Sequence, residues 1–198
     1  MDNVPTTGDS VWFGTLIREL QLNINTNNLL RFVYNEQKKS PHSNLGTVAN
    51  GWQSPNLKND VVFKPLTDEI FKNLNGLSDL FLIRKDKKLV ISAMWANINP
   101  SGGSNIPHTH PNSILSGVFY LKCNDKSGNI CFTHPAMNHN YHFDTFSVSN
   151  YNNINAGSRQ IKPNVGKMLI FPSYQYHYVQ TNLSNEDRVT LAFNTCLI

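Results

Sequence analysis

Two histidines stand two residues apart in the stretch Asn105 to Leu121, NIPHTHPNSILSGVFYL, and their side chains are suited to binding a metal. In an extended chain, positions i and i+2 project to the same face, so His108 and His110 can reach one point while Thr109 faces away. Pro107 and Pro111 bracket the pair and hold its backbone extended, which lowers the entropy lost when a ligand is captured. Paired imidazoles at the mouth of a sheet suit a first-row metal such as iron, zinc or copper. A His-x-His alone is also what a Pro-rich surface loop presents. A third ligand would raise the motif above that, and His177, in PSYQYHYVQTNLSNEDRVTLAFN, is the candidate.

The same C-terminal stretch supplies Arg188, expected on a strand that pairs with that of His177 across the turn LSNED. In such a hairpin Arg188 lies deeper on the same wall, and Thr190, Ala192 and Asn194 share its face. An inward-facing arginine must be paired, because an isolated buried charge is expensive. No acid on these strands is an evident partner, and a ligand carboxylate gripped bidentately would supply one. Pairing with Glu186, Asp187 or another surface acid is the competing reading.

The elements that must position these groups follow from periodicity. From Lys88 onward apolar residues alternate: Leu89 to Ile98 reads as a strand, followed by the turn-forming NPSGGSN. Behind the histidines, ILSGVFYL places Ile114, Ser116, Val118 and Tyr120 on one face. A hairpin is expected at Asn124 to Asn129, then the strand NICFT, and later the strand KMLIFPS. Residues 134–162 form a long irregular segment of the kind that serves as a functional flap or a poorly ordered insertion. Upstream, Val11 to Ile17 reads as a short strand. A helix capped by Asn25, Thr26 or Asn27 runs to about Lys39, burying Leu29, Leu30, Val33 and Tyr34. A second begins near Pro65 with the stripe Leu66, Ile70, Leu74 and Leu77, read as core. Helices followed by antiparallel strands make an α+β chain, with a small jelly roll at residues 88–198 and a helical, mixed part at 1–87, together one domain.

Composition bounds the function. The chain has 198 residues and a net charge of +4, with 39% hydrophobic and 15% charged residues. Its basic residues are scattered, with no nucleic-acid motif, so only a mild attraction for anionic ligands follows. Cys123, Cys131 and Cys196 form no CxxC, which fits free thiols in a reducing, cytoplasmic compartment. No signal-peptide pattern and no membrane-length apolar run is present. His42, His134, His139 and His142 lie in loops and are expected to be solvated, and Trp52 and Trp95 are expected to be packing residues.

The order His-x-His, a strand ending aromatic-Tyr-Leu, NICF, G-x-x-x-x-F-P-S, a distal His and then Arg-x-Thr resembles the iron(II)- and 2-oxoglutarate-dependent dioxygenases. More narrowly, WANINPSGGSNIPHTHPNSILSGVFYL, with GWQS upstream and IFPSYQYHYVQTN downstream, is similar to the 2-oxoglutarate oxygenases of bacteria and their phages, from about Gly51 to the C-terminus. The resemblance implies a double-stranded β-helix with iron(II) at its open end, held by His108 and the distal His177. It implies that Tyr120 and Arg188 bind the distal carboxylate of 2-oxoglutarate, with Thr190 assisting and Asn97 lining the pocket. The implied activity is hydroxylation of a substrate, with release of succinate and CO2, in a bacterial or phage-infected cell. The substrate is unspecified, a homodimer is one option, and no membrane or nucleic-acid partner is indicated.

One departure matters. The superfamily usually presents His-x-Asp or His-x-Glu, whereas this chain has His110. A neutral imidazole leaves iron one more unit of positive charge than a carboxylate would. Either His110 ligates, or it turns away; ligation is preferred because Pro111 fixes the chain just behind it. Asp144 could supply the missing carboxylate, although a loop acid is ordinarily solvated. A cupin-like metal protein is the alternative, but the positions where cupins add a Glu hold Asn112, Ser113 and Ile114. A non-enzymatic jelly-roll module is the third reading.

Overall fold

The computed structural model describes residues 14–42, 46–135 and 148–198. Helix α1 (Thr26–Lys39) starts where the Asn25 side chain accepts a hydrogen bond from the Asn27 N–H at 3.0 Å, and ends with Lys38 and Lys39 against the negative end of its dipole. It buries Leu29 and Val33, with Leu30 and Tyr34 partly buried beside them. Helix α2 (Lys64–Leu80) carries Pro65 in its first turn, where no N–H is needed. Its stripe Leu66, Ile70, Leu74 and Leu77 is buried as expected. Leu74→Ala should destabilise the protein by about 2–5 kcal/mol, read as a lower denaturant midpoint, because the cavity it leaves has no exposed side through which to relax.

The strands in chain order are β1 (Arg18–Gln21), β2 (Val48–Ala49), β3 (Trp52–Gln53), β4 (Leu89–Asn99), β5 (Ser104–His108), β6 (Leu115–Lys122), β7 (Ile130–Thr133), β8 (Ser158–Ile161), β9 (Lys167–Pro172), β10 (His177–Val179) and β11 (Arg188–Leu197). They form a larger sheet in the order β1-β9-β6-β11-β4-β3 and a smaller one in the order β2-β5-β10-β7-β8, with antiparallel pairings. The described residues are thus mostly β-sheet with two α-helices. Among the described residues no helix is long and apolar enough to cross a membrane.

Strand alternation divides the larger sheet between two tasks. Met94, Ala96 and Ile98 of β4, Leu115, Phe119 and Leu121 of β6, and Val189, Leu191 and Phe193 of β11 share one buried cluster with the helix residues. The intervening side chains, among them Trp95, Asn97, Val118, Tyr120, Arg188 and Thr190, line a cavity on the other face.

Several expectations change. Of the strand expected at Val11 to Ile17, residues 11–13 fall outside the described residues and 14–17 form no strand. The strand is instead RELQ, β1, whose Glu19 pairs with Lys167 at 2.6 Å. A polar segment can serve at a sheet edge, so apolar content misplaced it. Ile114 precedes β6 and is 44% exposed, so it does not share the face of Ser116, Val118 and Tyr120. The expected hairpin at 124–129 is a crossover, since β6 and β7 belong to different sheets. The segment 134–162 contains β8, paired with β7, while residues 136–147 lie outside the description, and with them His139, His142 and Asp144. The last hairpin is also a crossover: β10 joins the smaller sheet and β11 the larger. Its turn is held by Asn182, whose side chain donates to the carbonyls of Asn99 at 2.9 Å and Glu186 at 2.7 Å.

Candidate metal centre

His108 ends β5 and His177 begins β10, directly opposite it in the ladder. His110 follows β5, where its backbone N–H donates to the Ser173 carbonyl at 2.9 Å. The rings converge, with centroids 4.9 Å apart for His108 and His110, 4.3 Å for His108 and His177, and 5.2 Å for His110 and His177. One ring nitrogen from each lies within 4.8 Å of the others.

Two rings have their tautomer set from behind. Nδ1 of His108 is 2.7 Å from the Ile106 carbonyl, and Nδ1 of His177 is 2.9 Å from the Gln175 carbonyl. Each Nδ1–H donates there, leaving the Nε2 lone pair free, which is the usual arrangement behind a metal-ligating histidine. Burial, with the His108 charge second, lowers His177 to about 3 and His110 to about 4, and burial also lowers His108. All three are therefore neutral donors near pH 7. Such a set fits a first-row divalent ion without further acid, and among the described residues no carboxylate joins the cluster.

The facing wall comes from the larger sheet. Thr190 sits between Asn97 of β4 and Tyr120 of β6 across the ladder, and Arg188 lies opposite Asn99. Arg188 is 1% exposed. Its Nη2 donates to Asn99 Oδ1 at 2.8 Å and Asn105 Oδ1 at 3.0 Å, and its Nη1 to the Ser127 carbonyl at 3.3 Å. Gly128, at φ 83°, makes the turn that follows Ser127. Nε of Arg188 and Oδ1 of Asn97 are buried without a hydrogen-bond partner among the described residues. The acids that competed for Arg188 are engaged elsewhere: Glu186 pairs with Lys122 at 3.3 Å, and Asp187 accepts from the Tyr34 hydroxyl at 2.8 Å. Burial lowers Arg188 to about 10, which leaves it a cation at neutral pH, and burial raises Tyr120, which leaves it a neutral phenol.

The residues singled out in the sequence, namely Asn97, His108, His110, Tyr120, His177, Arg188 and Thr190, thus line one cavity. The correction concerns placement, because Arg188 stands on the sheet facing His177 and not on the same wall. Asn194 instead accepts from Ser116 Oγ at 2.7 Å. Trp95 was expected to be packing only, yet it lines the cavity with its ring 5.8 Å from His110. Its place two residues before Asn97 on β4 was the available signal. Trp52 is a packing residue, with Nε1 donating to the Ser40 carbonyl at 2.8 Å. His42 is exposed, and the three cysteines are free.

Residues 93–194 match the family described as "Putative 2OG-Fe(II) oxygenase". Among curated proteins no sequence match is found. Among solved structures, the fold is similar to the viral collagen prolyl hydroxylase vCPH of Paramecium bursaria Chlorella virus-1 in its 2OG complex, at 14% identity and TM-score 0.59, covering 90% of this chain and 94% of that one. A Pseudomonas putida prolyl-4-hydroxylase matches at 11% identity and TM-score 0.58, covering 90% and 91%. HygX from Streptomyces hygroscopicus, with nickel, 2-oxoglutarate and hygromycin B bound, matches at 12% identity and TM-score 0.61, covering 91% and 82%. The matched segment runs from β4 to β11 and so takes in the three histidines and the arginine wall; the chain belongs to the family of 2OG-Fe(II) oxygenases, enzymes that depend on iron(II) and 2-oxoglutarate.

Proposed function

We propose that His108, His110 and His177 hold iron(II), and that Arg188 grips the distal carboxylate of 2-oxoglutarate with Tyr120, Thr190 and Asn97 beside it. In this reading the two sheets form a double-stranded β-helix, with the N-terminal helices packed against the larger sheet. The observation that carries the assignment is a buried arginine, free of acids among the described residues, in the same cavity as three convergent neutral imidazoles.

With both groups bound, iron(II) and 2-oxoglutarate would let O2 act as the oxidant, one oxygen atom entering succinate as CO2 is lost and the other entering a substrate C–H bond as a hydroxyl. The chain's own residues bind and orient. The imidazoles of His108 and His177 are aimed by the carbonyls of Ile106 and Gln175. The Arg188 charge, desolvated in the cavity, favours a ligand with a carboxylate at that end. The Tyr120 hydroxyl is neutral and can donate to the same group. The apolar surfaces of Trp95, Val118 and Ala192 reduce the water around it.

Incubation with iron(II), 2-oxoglutarate and oxygen should release succinate slowly even without substrate, and omission of iron should stop it. No succinate above the iron-free control would overturn the assignment. A cupin-like site has no need of Arg188 in this state.

The third ligand offers a separate test. His110→Asp restores the ligand set usual in the superfamily, and its carboxylate neutralises a charge that imidazole leaves on the metal. The variant should bind iron(II) at least as tightly as the parent by calorimetry. Much weaker binding would show that the shorter side chain does not reach the metal.

A further inference from the structure

We propose that Asn99 and Asn105 are positioning residues that hold Arg188 with uncharged acceptors and so reserve its charge for a dicarboxylate ligand. Each presents its side-chain oxygen to Nη2 of Arg188, at 2.8 and 3.0 Å, which uses both protons of that nitrogen. They come from different sheets. Asn99 ends β4 opposite Arg188 in the larger sheet, and Asn105 lies in β5 of the smaller one, opposite Val179. The guanidinium is therefore gripped from both walls.

The two amides are themselves held. Asn99 Nδ2 donates to the Ser104 carbonyl at 2.9 Å, and Asn105 Nδ2 reaches Thr47 Oγ1 at 3.4 Å. Among the described residues the remaining partner of Arg188, the Ser127 carbonyl, is also neutral, and Nε has none. Hydrogen bonds thus fix the orientation of the group while no described residue compensates its charge. Burying a cation in this way is costly, and an aspartate at either position would keep the shape while supplying a counter-ion. Such an internal pair would compete with the ligand's own carboxylate. Amides give orientation without neutralisation, which makes these two positions determinants of selectivity. The inference rests on the proposed role of Arg188 and adds which neighbours tune it.

The variant to make is Asn105→Asp, because the hydroxyl of Thr47 can turn to donate to a carboxylate there. Asn99→Asp would instead set a carboxylate oxygen against the Ser104 carbonyl. 2-Oxoglutarate and pyruvate, which has no distal carboxylate, are titrated without oxygen into iron(II)-loaded parent, Asn105→Asp, Asn105→Ala and Arg188→Lys proteins. The parent should prefer 2-oxoglutarate. Asn105→Asp should lose roughly ten- to a hundredfold in 2-oxoglutarate affinity, with pyruvate and iron affinity unchanged, so that the preference collapses. Its melting temperature without ligand should match or exceed the parent's. Asn105→Ala, which loosens the arginine without neutralising it, should fall between. If Arg188→Lys weakens 2-oxoglutarate binding but Asn105→Asp does not, the inference is overturned and the Arg188 assignment stands. Equal losses for 2-oxoglutarate and pyruvate, or a lowered melting temperature, would make Asn105 a structural residue only and also overturn it. If Arg188→Lys itself has no effect, the assignment falls, and the inference with it.

Discussion

Alanine at His177, or at His108, should abolish stoichiometric iron binding. Three imidazoles are the whole protein ligand set available among the described residues, so no acid compensates for a lost nitrogen. The loss should exceed the roughly 10–100-fold that an outer hydrogen-bond partner of a ligand is worth. The two variants should differ in stability. His108 is half-buried, whereas His177 is 4% exposed, with its ring 4.8 Å from that of Phe171 and 6.0 Å from that of Phe132. His177→Ala therefore opens a gap between aromatic rings and should melt at a lower temperature even without metal, while His108→Ala should melt near the parent. Calorimetry with iron(II) checks the first expectation and thermal denaturation of the metal-free proteins the second. Unchanged iron affinity in both variants would move the metal elsewhere.

Arg188→Lys should weaken 2-oxoglutarate binding and leave iron binding intact. A lysine keeps the charge but loses the planar guanidinium that Asn99 and Asn105 hold through Nη2, so its single ammonium cannot meet both amides and still aim a fixed N–H donor at the carboxylate. Losing one charge-assisted contact should cost about 1.5–3 kcal/mol, or roughly ten- to a hundredfold in affinity. The three imidazoles lie apart from Arg188, on the smaller sheet and the loop that follows β5, so the metal affinity should not follow. The titration is followed by heat or by metal-to-ligand absorption in iron-loaded protein. Equal affinity in parent and variant would remove Arg188 from the site.

The site was more legible in the sequence than the path of the chain around it. Period-two alternation placed Tyr120 with Val118, and Arg188 with Thr190, on one side of their strands, because a pleated strand has only two faces, whereas Asn97 was indicated by the family resemblance. The His-x-His spacing likewise brought two rings together with no tertiary information. Sheet membership was not legible. A short polar turn such as LSNED closes a hairpin or carries the chain between sheets with the same residues, and the choice is made by distant partners: Asn99 for β11, Phe132 and His108 for β10. The role of Trp95 escaped for a related reason, since an aromatic on a strand reads as core until the far wall is known. Asn99 and Asn105 gave no signal because turn-forming asparagines fill this sequence, and only the Arg188 distances distinguish these two.

The division of the cavity between two sheets has a mechanical consequence. On the proposed assignment, 2-oxoglutarate is anchored at one end to metal on the smaller sheet and at the other to the arginine of the larger. A molecule fastened to both sides of a sandwich acts as a cross-brace: it binds only when the two layers are docked, and it resists their separation. Cosubstrate supply would then be felt as rigidity of the whole β-sandwich, since a ligand that binds only the closed form stabilises it in proportion to the logarithm of its concentration.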